Sequence, residues 1–148
     1  MSQSRLILSA GGLLAAILLA VAAAIVAGYS VVAADQGAML KFKPDQHDFG
    51  KVTATNDSAP LTVTVTNKST SAPITFTSIV AAETFSIQSD KCSGSPLAPG
   101  RSCKVEVVFH PMVTGKISAP NGLTFTDSAQ NSPQQVDLEG QGTVGSFF

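Results

Sequence analysis

The run Leu61-Thr-Val-Thr-Val-Thr66 alternates without a break: Leu61, Val63 and Val65 fall on one side, and Thr62, Thr64 and Thr66 on the other. Successive side chains of a strand point to opposite faces, so this period of two predicts a strand with one buried face and one wet face. The same period recurs in Lys104-Val-Glu-Val-Val-Phe109. Shorter apolar stretches predict further strands: Leu40 to Lys43 and His47 to Val52, split by Pro44; Ile74 to Val80, with Ile74 and Phe76 on one face; Phe85 to Gln88; Leu123 to Thr126; and Gln134 to Glu139. Asn67 to Pro73 and Pro111 to Gly115 are turn clusters between them. No ten residues past Ala34 keep a helical 3.6 period.

Seven or eight short strands in about 110 residues predict an all-β fold, an antiparallel immunoglobulin-like β-sandwich. The candidate core is Leu61, Val63, Val65, Phe76, Phe85, Val105, Val107, Phe109, Leu123, Phe125, Val136 and Leu138. The chain contains no Trp, and Cys92 and Cys103 are too near in sequence for the inter-sheet bridge of antibody domains. A pair so close staples a loop instead.

The N-terminus follows another pattern. After Arg5 there is no charge from Leu6 to Val32, and the segment ends in Val32-Ala33-Ala34-Asp35. As a helix it would be about 40 Å long, against about 30 Å for a hydrocarbon core. Its dense apolar part spans only Leu13 to Val26, and the small residues at Val32 to Ala34 suit signal peptidase. Two readings follow: a signal peptide over residues 1–34, or a retained N-terminal membrane anchor. No lipid-bearing cysteine follows the segment. In either case residues 35–143 form an exported sandwich with a short tail at 144–148, and Arg5 stays on the cytoplasmic side.

Export sets the chemistry of the cysteines. In an oxidising compartment two cysteines without a Cys-x-x-Cys spacing are expected to form one structural disulfide, Cys92–Cys103. Charged residues make up 13% of the chain, against about 25% in typical soluble domains. The net charge is −1, or −2 without Arg5, and the basic residues are scattered. A nucleic-acid partner would need them clustered on one face, so none is expected.

Several strings then resemble a known module: His47-Asp-Phe-Gly-Lys-Val52, Thr62-Val-Thr-Val-Thr-Asn67, and Cys92-Ser-Gly-Ser-Pro-Leu-Ala-Pro-Gly-Arg-Ser-Cys103 leading into Val105-Glu-Val-Val-Phe-His-Pro111. With Gly115, Leu123-Thr-Phe-Thr126 and Ser132 to Gly142, they look like the bacterial choice-of-anchor D domain. That domain is a relative of the ASPM/SPD-2/hydin and major-sperm-protein immunoglobulin-like domains. The resemblance covers about Leu40 to Thr143 and implies a non-catalytic β-sandwich of the cell surface. Such modules are often arrayed, whereas one copy stands here. The run Ser118-Ala-Pro-Asn-Gly122 is expected to interrupt a strand that the family keeps continuous.

Candidate chemistry is sparse. His47 and His110 are the only imidazoles; neither has a helical i, i+4 partner, and both read as solvated side chains. There is no Gly-x-Ser-x-Gly elbow, and Glu83, Glu106 and Glu139 are isolated carboxylates rather than a converging pair. No catalytic residue, cofactor or metal is expected. Asn56-Asp-Ser58 and Asn67-Lys-Ser69 read as turns whose side chains bond the local backbone. The candidate contact surface comprises Ser93, Gly94, Ser95 and Pro96 in the cysteine loop, Pro120, Asn121 and Gly122 in the interrupted strand, and Phe147 and Phe148 at the end of the chain.

Together these features predict a non-catalytic extracytoplasmic structural or protein-interaction module of the bacterial envelope. Its location would be the periplasm, the cell surface or the medium, and its partners proteins. One alternative is a small subunit of an envelope complex, anchored in the cytoplasmic membrane through Leu6 to Val32 with the C-terminal domain outside. A further alternative is a periplasmic chaperone-like domain that binds strands.

Overall fold

The structure is a computed structural model that describes residues 40–145. Those residues form a sandwich of two four-stranded sheets. The strands are β1 (Leu40–Lys43), β2 (Gln46–Thr53), β3 (Leu61–Asn67), β4 (Phe76–Ala81), β5 (Phe85–Asp90), β6 (Ser102–Phe109), β7 (Gly115–Asp127) and β8 (Gln134–Thr143). One sheet has the order β1-β3-β6-β5 and the other β2-β8-β7-β4. Pro44, after a cis peptide bond, lies between β1 and β2 as the chain passes from the first sheet to the second. All strand pairs are antiparallel except β2 with β8.

The alternation read in the sequence is largely the burial pattern of the structure, with one break in β6, where the out-of-phase Val108 is buried too. In β3, Val63 and Val65 are buried, and so is Asn67 in the same phase. In β6, Val105, Val107 and Phe109 point inward, and in β8 Val136 and Leu138 do. Leu61, at the start of β3, is partly buried and packs against this core. Leu40, Ile74, Leu97 and Ala129 complete it from strand ends and loops. Phe49, Phe85 and Phe109 cluster with ring centroids 5.2 to 5.9 Å apart, the Phe49–Phe109 pair stacked and the other two tilted.

Two expectations need correcting. The strand expected from Ile74 begins at Phe76; Ile74 instead makes an isolated bridge to Leu97. The expected interruption at Ser118 to Gly122 lies within β7, which runs through it. The irregularity is absorbed as a bulge: between Ala119 and Leu123 β7 advances four residues while β8, from Leu138 to Val136, advances two. Pro120 has no N–H to donate, and a bulge is where a strand tolerates that loss.

Candidate contact surfaces

The cysteine loop begins where β5 ends. Asp90 Oδ1 accepts hydrogen bonds from the backbone N–H groups of Cys92 (2.7 Å) and Ser93 (3.0 Å), which turns the chain. Partial burial works against the Asp90 carboxylate. Hydrogen bonds from the Ser93 side chain and from the Ser93 and Cys92 backbone, with Lys91 alongside, outweigh it and hold the pKa below the ordinary value. Cys92 is bonded to Cys103, 11 positions on, across a Cα separation of 5.1 Å. The bridge ties the chain just past β5 to its neighbour β6, so it staples a loop within one sheet.

The far half of the loop is pinned as well. Leu97 is buried, and it exchanges backbone hydrogen bonds of 2.7 and 3.0 Å with Ile74. Beneath it the fully buried Asn67 donates from Nδ2 to the carbonyls of Leu97 and Ala72, both at 2.9 Å. Asn67 Oδ1 accepts from Ser69 N–H at 2.8 Å, the local turn bond that the sequence predicts. The Asn67 backbone bonds Arg101 and Gly100. Between these fixed points Ser93, Gly94, Ser95 and Pro96 are exposed, so the loop presents a small hydroxyl-bearing surface on a rigid base. Asn67 was not among the sequence candidates. Its phase carried the signal, because a polar residue on the buried side of an alternating strand needs partners.

The β7 bulge forms a second surface. Pro120 and Asn121 are exposed, but Gly122 is buried. A Cβ on Gly122 would lie 2.5 Å from Leu138 Cβ, so glycine lets the bulged backbone pass over that side chain. Pro120 lines an open groove of about 380 Å³ with Gln46, His47, Asp48, Ser118, Ala119, Asp137, Leu138 and Glu139. Glu139, isolated in sequence, sits there with Asp48 and Asp137 and pairs with Lys116 at 3.2 Å. This grouping depends on the parallel β2–β8 pairing, which no local pattern announces. Ser93 to Pro96 do not line the groove; the two candidate patches are separate.

The histidines have different partners. His110 Nδ1 lies 2.7 Å from Asp57 Oδ1 at the surface. His47, in β2, meets Phe49 edge-on at 4.8 Å. Among the described residues no group of three His, Cys, Asp or Glu side chains is placed to hold a metal ion. Phe147, Phe148 and the apolar segment from Leu6 to Val32 lie outside the described residues.

Residues 38–141 match the family model of the HYDIN/CFA65/VesB-like Ig-like domain, and the chain belongs to that family. Solved structures with the same fold include the VesB protease of Vibrio cholerae, at 20% identity and a TM-score of 0.55 over 69% of this chain and 31% of that one. They also include the secreted serine protease VesC of Vibrio cholerae, at 21% and 0.56 over 73% of this chain and 24% of that one. The ASH/PapD-like domain 7 of human CEP192 is similar at 12% identity and 0.57, over 99% of both chains. The chain thus spans less than a third of either Vibrio protease. No curated protein matches the sequence.

Proposed function

We propose that the chain is a non-catalytic contact module working outside the cytoplasm, in the bacterial envelope or beyond it, of the choice-of-anchor D kind. The observation that carries the reading is the disulfide-stapled loop, in which Cys92–Cys103 and the buried Leu97 hold Ser93 to Pro96 at the surface. A structural disulfide persists in an oxidising compartment, and the uncharged run from Leu6 to Val32 is an export signal by composition. Protein partners would meet the loop, the bulge surface around Pro120 or a sheet edge, none of which depends on electrostatic steering at this low charge. The length of the Leu6 to Val32 run favours a second reading, in which the module stays anchored as a small subunit of an envelope complex.

Intact mass and N-terminal sequence, taken without reductant on protein recovered from its host envelope, test this directly. A chain beginning at Asp35 and lighter by two hydrogens than its reduced form is the expected result. A chain that keeps Leu6 to Val32 with the disulfide formed selects the anchored reading. Free thiols on protein found in the cytoplasm would overturn both.

A further inference from the structure

The sandwich has four edge strands, β1 and β5 in one sheet and β2 and β4 in the other. An unpaired edge offers backbone donors and acceptors to any strand that approaches, and charge, shortness or bulges normally blunt it. Three edges here are blunted. β1 is four residues long and carries Lys41 and Lys43. β2 carries Asp48 and Lys51 and is broken by a register shift between them. β5 is broken at its centre, between Ile87 and Ser89, and ends on Asp90.

β4 differs from all three. Its sequence, Phe76-Thr-Ser-Ile-Val-Ala81, has no charge and no proline, and its irregularity lies at the start, between Phe76 and Ser78. From Ser78 to Ala81 it is regular, in register with Thr126 to Leu123 of β7. Ala82 N–H continues the ladder to Gly122 O at 2.9 Å. Hydrogen-bonded and non-bonded pairs alternate along an antiparallel ladder, so Ala82, Val80 and Ser78 bond to β7. Ile79 and Ala81 therefore turn their N–H and C=O groups outward, where they have no further partner among the described residues. Between them, on the outer face, Val80 is 53% exposed.

We infer that β4 is the strand through which two copies of this chain pair, antiparallel and centred on Val80. Only a centre at Val80 confines the new bonds to the regular part of the strand: Ile79 and Ala81 of one copy bond Ala81 and Ile79 of the other. Val80 then faces Val80 in a non-hydrogen-bonded pair, where side chains approach most closely and the exposed valines bury each other. A second copy suits this edge because no like charges meet there. Self-pairing of β1 would set lysine against lysine. The contact is isologous, so it closes as a two-fold dimer joining the two β2-β8-β7-β4 sheets. Its area is that of one strand pair, below the size of stable interfaces, so the dimer is weak and concentration-dependent. The inference rests on the contact-module reading, yet it can fail while the mass and N-terminus of the mature chain still support that reading.

Cysteine crosslinking of the full chain in its host envelope tests the register. The protein's own cysteines are paired, so an introduced thiol is the only free one among the described residues. Facing residues at a non-hydrogen-bonded site have Cα atoms about 4.5 Å apart, within disulfide range. Val80→Cys is expected to give a disulfide-linked dimer on mild oxidation. Ser78→Cys, on the same face but opposite Ala82 of the other copy, should give less than a tenth as much. Equal crosslinking at both positions, or none at Val80→Cys, would overturn the proposal. As a second measurement, sedimentation of the purified full chain in mild detergent should show concentration-dependent dimer that Val80→Lys abolishes. Indistinguishable behaviour of Val80→Lys and the unmodified chain would overturn it equally.

Discussion

Asn67 hangs from the carbonyl of Leu97: its side-chain amide donates a 2.9 Å hydrogen bond to a residue 30 positions away, inside the core. The same carboxamide bonds Ala72 and Ser69, so one buried polar group joins β3, the turn after it and the cysteine loop. Asn67→Ala would take this partner from the Leu97 and Ala72 carbonyls and from the Ser69 N–H, although the Leu97 carbonyl keeps its 3.0 Å bond from Ile74 N–H. Each unsatisfied buried group costs about 1–3 kcal/mol, and water entering the gap offsets part of the sum. We expect a loss of about 2–4 kcal/mol in urea denaturation, with Asn67→Asp no better because a carboxylate cannot donate to the two carbonyls.

The disulfide acts on the same loop from its other side. Cross-linking positions separated by 11 residues removes unfolded-state entropy equivalent to about 3 kcal/mol in the chain-entropy account. Cys92 is buried, so Cys92→Ala also loses packing, whereas Cys103 is only partly buried and Cys103→Ser isolates the cross-link more cleanly. Cys103→Ser should lower stability by about 2–4 kcal/mol and make the Ser93 to Pro96 backbone exchange its amide hydrogens faster. Amide exchange on both proteins reads the second effect, and protection unchanged at Ser93 and Ser95 would show that Asp90, Asn67 and Leu97 hold the loop without the bridge.

What the sequence made legible depended on periodicity. Val63, Val65, Val105 and Val107 stand in short alternating runs, and their burial follows from that pattern alone. Ile74 and Leu97 are core residues outside any alternating run; they are buried because a long-range bridge brings two loops together. The extension of β8 through Gly140-Gln-Gly142 was hidden because glycine disfavours strands unless something needs the space. The bulge in β7 looked like a break for the same local reason: Pro120, Asn121 and Gly122 are turn formers, and tertiary pairing with β8 overrides them. Of the contact surfaces, the cysteine loop could be placed from its composition. The groove around Pro120 could not, because His47 and Asp48 reach it only through a parallel pairing of the first and last strands of its sheet.

Gly140 shows what that extension of β8 requires. A Cβ built on it would lie 2.6 Å from Cε1 of Phe109, so the ring rests directly on the glycine backbone. Phe109 is fully buried, stacks on Phe49 and meets Phe85 at a tilt, so it has little freedom to withdraw. Gly140→Ala should therefore destabilise by about 1–3 kcal/mol through overpacking, even though alanine is intrinsically the better residue in a strand. The pair Gly140→Ala with Phe109→Leu should recover part of that loss. A double-mutant cycle by thermal denaturation checks the coupling, and strict additivity would contradict the contact.

Two carboxylates should bend the acid limb of stability in opposite directions. Asp90 has its pKa lowered in the folded state, so its contribution is present above the unfolded value, near about 3.9, and is lost as pH falls through the folded value. Asp127 is different: burial raises its pKa, against hydrogen bonds from Ala129 N–H and the Gln134 side chain. Its folded form binds a proton more readily than the unfolded chain does. The penalty it imposes is full above the folded pKa and is relieved as pH falls toward the unfolded value. Asp127→Asn should therefore remove a compensating gain and steepen the acid loss of stability as pH falls through the raised folded pKa of Asp127, whereas Asp90→Asn should make that loss shallower below the ordinary carboxylate value. Urea midpoints measured between pH 3 and pH 7 separate the two variants. Curves that both steepen, or both flatten, would be inconsistent with the burial of Asp127 or with the hydrogen bonds that hold Asp90.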